Sequence, residues 1–425
     1  MRCLVISPDY ASHASGLLEV AAAARDRGHQ VVFATGEAVR PSVTAAGLEW
    51  QPLRLGRGHN AGTIRVEEQV VGEDAHLQEF FAATRRGPAA VLTYQALARQ
   101  QDLLFEPDRV LDEISRIIDL VAPDRVVVDH IAFGATLALY ALDIPYTSVV
   151  LGHPTALPVG GEMYGLPPVW PDTVRPSDGE LDELRTICEN ATTLFTESAN
   201  TLLERRAPHR PSISDAFRRS GSATLFNYPE ELHPAGRRLP DGATFLGSLA
   251  RDRPVDDIAV LPRDRTRVFV SLGTFLGARD DVLRTAVAAA RSANWVLALA
   301  HGSTPRSALG ELPSDALVAA SLPQVALLDQ IDVVVTHGGN NTVTESVRAG
   351  VPMVVLPLST DQFAGAASVE TYGAGTVLDP NHLSAQDLVD AVAWASRSDP
   401  ARRAQELGRR LRQFPGAELA VDAFE

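Results

Sequence analysis

Short apolar strands alternate with segments of helical period along the whole chain, and few folds accommodate that pattern. Residues 2–7 read as a strand. In residues 16–27, Leu17, Val20, Ala21 and Ala24 share one helical face and Gly28 follows as a stop, and residues 30–35 are a strand again. Residues 114–121 then read as helix, 125–129 as strand, 135–142 as helix and 146–151 as strand. The same grammar restarts with strands at 267–271, 295–300, 333–336 and 353–356, and helices at 281–291 and 342–349. Near-continuous apolar strands separated by helices describe a parallel sheet covered on both faces. Two such series in 425 residues predict two doubly wound, Rossmann-like α/β domains. Between them, residues 229–262 carry Pro229, Pro234, Pro240, Pro254 and Pro262 with little periodicity, which reads as an ordered linker. Residues 56–99 are long and weakly periodic, the kind of insertion that supplies substrate loops.

Charge and cysteine usage narrow the function classes. With 38 basic against 53 acidic residues the formal charge is −15, a poor match to nucleic acid or an anionic membrane. Cys3 and Cys188 alone form neither a disulfide framework nor a metal site, which points to a reducing compartment. The apolar stretches fall short of about 18 residues, so no membrane span is expected and the reading is cytoplasmic. The oligomeric state stays open, a homodimer included.

The most informative stretch is residues 333–362, VVVTHGGNNTVTESVRAGVPMVVLPLSTDQ. A buried strand ends at Thr336, so His337 stands at the carboxyl end of a parallel sheet, where open α/β sheets place ligands. Gly338-Gly339 lets backbone N–H groups approach a ligand closely. A helix beginning at Asn341 or Thr342 points unpaired N–H groups and a positive dipole end the same way, which suits a diphosphate. The same residues admit a plainer account: Thr342 through Glu345 is a good capping box, and Gly-Gly also makes a tight turn.

The segment resembles the nucleotide-sugar signature of the family 1 glycosyltransferases, which have the GT-B fold. The shared pattern is matched here by His337, Gly339, Asn341, Thr342, Glu345, Gly350, Pro352, Pro357, Asp361 and Gln362. The resemblance implies that His337, Gly338, Gly339 and the helix start hold a diphosphate. It gives Glu345 to the ribose, and Asp361 and Gln362 to the sugar hydroxyls. Ser271-Leu272-Gly273-Thr274 resembles the family's loop near the phosphates, which adds Ser271 and Thr274. Pro323-Gln324 resembles the base-binding loop, which adds Leu322 and Gln324. Many members carry a stacking aromatic where this chain has Ser321, which leaves the choice between uracil and thymine open.

In the first domain, Ser7 to His13 links a strand to a helix without the Gly-x-Gly-x-x-Gly of a dinucleotide site, which argues against a dehydrogenase. The family has its catalytic His at this helix start, and His13 precedes Arg27-Gly28-His29 by the family's spacing, although Gly16 replaces the usual Pro. Asp129, at the end of a strand, is the carboxylate expected to orient such a base; it reads equally as a cap of the following turn. The adjacent His130 has the weaker claim. Phe80, Phe81, Tyr94, Phe105, Met163, Tyr164 and Trp170 are candidates for the face of an apolar acceptor, or for pins of long loops.

Taken together, the resemblance implies an acceptor domain over residues 1–228, the linker 229–262, a donor domain over 263–398, and a C-terminal helix over 399–425 that returns to the first domain. It also implies an inverting transfer of sugar from a dTDP-deoxysugar or UDP-hexose to a small apolar acceptor, with no metal and no further cofactor. A nucleotide-sugar epimerase or a non-catalytic auxiliary protein of the same fold are the alternatives.

Overall fold

The computed structural model describes residues 1–58, 73–99, 103–252, 258–273 and 279–425. The first part runs β1 (Arg2–Ile6), α1 (Ala11–Asp26), β2 (Gln30–Thr35), α2 (Arg40–Ala45), β3 (Glu49–Pro52), α3 (Glu73–Arg86), α4 (Pro88–Arg99), α5 (Pro107–Val121), β4 (Arg125–Asp129), α6 (Phe133–Ala141), β5 (Thr147–Val150), α7 (Asp178–Arg206), β6 (Ala223–Phe226) and β7 (Ala243–Phe245). The second runs β8 (Arg267–Ser271), α8 (Asp280–Ser292), β9 (Val296–Ala300), β10 (Leu317–Ala319), α9 (Gln324–Leu328), β11 (Val333–Thr336), α10 (Asn340–Ala349), β12 (Met353–Val355), α11 (Gln362–Tyr372), β13 (Gly375–Val377), α12 (Ala385–Ala395), α13 (Ser398–Leu411) and α14 (Gly416–Phe424).

Two parallel sheets result, in the orders β3-β2-β1-β4-β5-β6-β7 and β10-β9-β8-β11-β12-β13. Their central strands are buried on both faces, as their unbroken apolar runs require. In each sheet the order reverses once, between β1 and β4 and between β8 and β11. There the connections leave toward opposite faces and a crevice opens at the carboxyl ends of the strands.

Four local expectations change. The helix containing His13 starts at Ala11, so His13 lies in its first turn rather than in a preceding loop. Residues 73–99, read as weakly periodic, form α3 and α4. Their pattern is hard to read because the apolar face meets another domain: Phe80 and Phe81 belong to a buried cluster that continues into Leu272 and Val282. The proline-rich interval holds β7, three residues that pair with β6 at the sheet edge, too short to show a period. At the C-terminus, α13 packs on α10 of the second domain, and it is α14 that returns to α1. Ala417, Ala420, Val421 and Phe424 are buried there with Leu17, while Arg27 pairs with Asp422 at 2.5 Å and His29 with Glu425 at 2.6 Å.

Leu17 is wholly buried between the first sheet and α14. Leu17→Ala is expected to cost about 2–5 kcal/mol through the cavity it leaves. A lowered thermal midpoint of the first domain checks this, and an unchanged midpoint would contradict the packing described.

Candidate active site

The two crevices face one another and form one cleft of about 590 Å³, lined from both domains. On the first-domain side, β1 and β4 are paired neighbours at the reversal point, which brings residues 116 apart in sequence into contact. His13 Nδ1 lies 2.7 Å from Asp129 Oδ2. Asp129 is fully buried and His13 about a quarter exposed (24%) toward the cleft. Burial alone would push the Asp129 carboxyl up, but the charge and hydrogen bond of His13, with His130 contributing, hold it well below the usual carboxylate range. A carboxylate only accepts, so Nδ1–H of His13 donates, and Nε2 is left with its lone pair. Burial opposes charge on His13 in turn; Asp129 outweighs it, aided by Asp361, and raises the imidazole above its ordinary 6.5. Asp129 Oδ1 also accepts from the Ile131 amide at 3.1 Å, so the turn-capping role and the histidine contact coexist.

On the opposite wall, His337 follows β11, between Gly273 and Gly339. A Cβ on Gly273 would stand 2.7 Å from His337 Cε1, and one on Gly339 would strike the same ring. Gly273 also has φ +72, a backbone that favours glycine. Burial lowers His337 to about 4, so the ring is neutral and keeps an N–H to donate.

Helix α10 begins at Asn340, three residues earlier than the capping box would place it, and no side chain caps it. Its first amides, with no acidic residue in the first turn, remain available at the cleft. Glu345 lies one turn inside. It accepts from Gln324 Nε2 at 2.5 Å, and burial raises its carboxyl to about 7.

Ser271, Leu322, Gln324, His337, Gly339, Asn341, Thr342, Asp361 and Gln362 line the cleft. Gly338, with φ +82, shapes the turn behind it, and Glu345 stands behind Gln324. Thr274 lies outside the described residues. The Gln362 side chain is committed to its own loop, accepting from the amides of Leu358 and Ser359 at 3.0 Å.

Of the acceptor candidates only Tyr164 lines the cleft. Phe80 and Phe81 are buried in the interdomain cluster, and the Tyr94 hydroxyl donates to the His76 carbonyl at 2.7 Å. Met163 sits in a short antiparallel bridge with Leu166. Neighbours of the others face the cleft instead: Leu92 and Gln95 of α4, and Gly165 to Pro167. Spacing alone hid this, because one step along a helix or extended loop turns a side chain away.

Asn340 was also missed. Its amide donates to the carbonyls of Leu151 at 2.7 Å and Asn227 at 2.9 Å in the first domain. Beside it Asn341 donates to the Ser12 carbonyl at 2.8 Å, and Asp361 Oδ2 accepts from the His153 amide at 2.5 Å.

Residues 263–398 match the family model of the UDP-glucoronosyl and UDP-glucosyl transferases. Over the full chain there is 27% identity to 4'-demethylrebeccamycin synthase of Lentzea aerocolonigenes, covering 100% of this chain and 98% of that protein. The protein is a glycosyltransferase whose residues 263–398 match the family 1 domain. The glycosyltransferase of kitacinnamycin superposes on this one with a TM-score of 0.72 at 23% identity, covering 99% of this chain and 97% of that one. A spinosyn rhamnosyltransferase in complex with thymidine diphosphate gives a TM-score of 0.63 at 20% identity over 99% of each chain. These likenesses establish the GT-B fold. As a glycosyltransferase the protein acts on a nucleotide-sugar donor and an acceptor. Among the described residues, no helix is long and apolar enough to cross a membrane, and no three His, Cys, Asp or Glu side chains gather as a metal site.

Two outcomes follow for this glycosyltransferase. Gly273→Ala should displace the His337 ring and weaken nucleoside diphosphate binding by roughly tenfold or more, since a misplaced hydrogen bond and a strained backbone both count against it; calorimetric titration reads this, and unaltered affinity would refute the cradle. Glu345 has a raised pKa, so its folded state favours the protonated form and stability falls as pH rises from 4.5 through about 7. Glu345→Gln should therefore raise the thermal midpoint relative to the parent at pH 8 but not at pH 4, and a pH-independent difference would contradict the burial effect.

Proposed function

We propose that the enzyme moves a sugar, with inversion and without a metal ion, from a nucleoside diphosphate sugar to a hydroxyl of an apolar natural-product acceptor. The observation that carries this reading is that one cleft joins the His13–Asp129 pair to His337 and the uncapped start of α10. His13 Nε2 takes the proton of the acceptor hydroxyl as its oxygen attacks the anomeric carbon. Asp129 holds the ring in the right tautomer and stabilises the imidazolium that forms. The nucleoside diphosphate leaves from the opposite face, so the configuration inverts. Negative charge growing on its phosphate is met by His337 and the first amides of α10, preorganised donors placed where a divalent cation acts in other transferases.

The donor would lie along the second domain, with the base near Leu322 and Gln324, the ribose toward Glu345, and the sugar at Asp361. Both a dTDP-deoxysugar and a UDP-hexose suit this wall. The family description names UDP sugars, and the spinosyn enzyme is complexed with thymidine diphosphate. The acceptor would rest on the apolar first-domain lining of Ile131, Leu92, Leu166 and Pro167. Resemblance to a rebeccamycin-type synthase supports a natural-product scaffold. Cys3 and Cys188 are both buried and neither is in a disulfide, which suits the cytoplasm.

The deciding experiment is a calorimetric titration of UDP and of dTDP, each with EDTA present. Saturable binding of one chooses the base, and binding that appears only when EDTA is replaced by a divalent cation would overturn the metal-free site. His13→Ala should leave this affinity unchanged while lowering kcat by about 10²–10⁴-fold. The base must be proton-free and Asp129 raises its pKa, so kcat/KM should fall as pH drops through a value above 6.5. Asp129→Asn should move that acid limb to lower pH and lower the plateau. A limb that stays in place would remove His13 as the base.

A further inference from the structure

His130 follows Asp129 at the end of β4 and lines the cleft, yet its side chain is only 3% exposed. Its Nδ1 stands 3.5 Å from Asp129 Oδ1, at the outer limit of a hydrogen bond, and its Nε2 has no hydrogen-bond partner among the described residues. The other carboxylate oxygen is taken by His13 at 2.7 Å. Two imidazoles are thus arranged around one buried carboxylate, one presenting a base and the other an uncommitted nitrogen. Buried polar groups are rarely left unpaired, because each costs free energy that a same-shaped apolar side chain would avoid. A phenylalanine would fill this space without that cost. The same cleft is lined on this domain by the apolar Ile131, Leu166 and Pro167 and by Tyr164, which stacks on Phe217 at 4.2 Å between centroids.

We propose that His130 is a second recognition point for the acceptor: its Nε2 hydrogen-bonds an oxygen next to the hydroxyl that attacks. The acceptor class is then a flat or apolar scaffold with two adjacent oxygen groups, such as an ortho or vicinal diol. One oxygen lies at His13 and the other at His130. This inference rests on the transferase reading for the place of the acceptor, and it goes beyond that reading by assigning which acceptors the site favours. His130 is a specificity-determining residue and takes no proton from the reacting group.

The test uses the full chain and a matched pair of probes, 7-hydroxycoumarin and 7,8-dihydroxycoumarin, with binding followed by fluorescence. The diol should bind roughly fivefold more tightly, the scale of one net hydrogen bond. His130→Phe should bring that ratio close to one, while His130→Gln, which keeps a donor and an acceptor, should restore part of it. A variant whose packing is merely disturbed would weaken both probes together and leave their ratio unchanged. Equal binding by the parent protein, no binding of either probe, or a ratio unchanged in His130→Phe would each overturn the proposal. Sugar transfer is scored separately: failure of the transferase reading appears as absent turnover that His13→Ala does not alter, and failure of this proposal as a diol preference indifferent to His130.

Discussion

Parallel pairing of neighbouring strands whose connections leave on opposite faces is the constraint on which the site depends. A β-α-β connection covers one face of a sheet, and where the strand order reverses, the two covering layers part at the carboxyl ends. In the first sheet this happens between β1 and β4, and in the second between β8 and β11. The residues that carry the proposed chemistry hang on those four strands: His13 after β1, Asp129 at the end of β4, Gly273 after β8, and His337 after β11. Register fixes their height. Ile6 is paired with Val128, and Ser271 with Thr336, so the loop that follows each strand starts level with its neighbour's.

The polar contacts that cross between the two crevices are modest in energy. Asn340 and Asn341 donate to first-domain carbonyls, the Asp361 carboxylate accepts from the His153 amide, and the Thr360 amide donates to Gln95 on α4. Each such bond is worth only about 1 kcal/mol net. The larger apolar contributions come from the α3–α4 hairpin, from α14, and from a buried cluster that joins Val150, Phe226 and Tyr228 to Val334 and Val355. Packing between the domains can thus be dense while the cleft keeps its polar groups for ligands.

Electrostatics divides the two histidines. Both face one cleft, yet His13 is raised above its ordinary value by a buried carboxylate, whereas His337, without such a partner, is lowered to about 4 by burial. One ring is suited to receive a proton and the other to donate a hydrogen bond while staying neutral. The same residue type serves opposite ends of the proposed reaction because only His13 is hydrogen-bonded to a buried carboxylate, whereas the charge of Asp361 does not offset burial at His337.

The amino-acid sequence by itself determined the two parallel α/β halves, the strand-end positions of His337 and Asp129, and the glycines at the donor wall. These follow from local pattern: apolar runs, helix stops and motif spacing act over a few residues. It could not determine what depends on a partner distant in the chain. The capping-box pattern at Thr342–Glu345 was overridden because Gln324 engages Glu345 and the helix continues back to Asn340. Phe80 and Phe81 went to an interdomain core because the face they sit on meets the second domain. The returning helix proved to be α14 because α13 found an apolar seat on α10. That Asp129 reaches His13 while still capping its own turn likewise depends on β1 lying beside β4. Pairing across 116 residues is a property of the assembled sheet, and no local propensity encodes it.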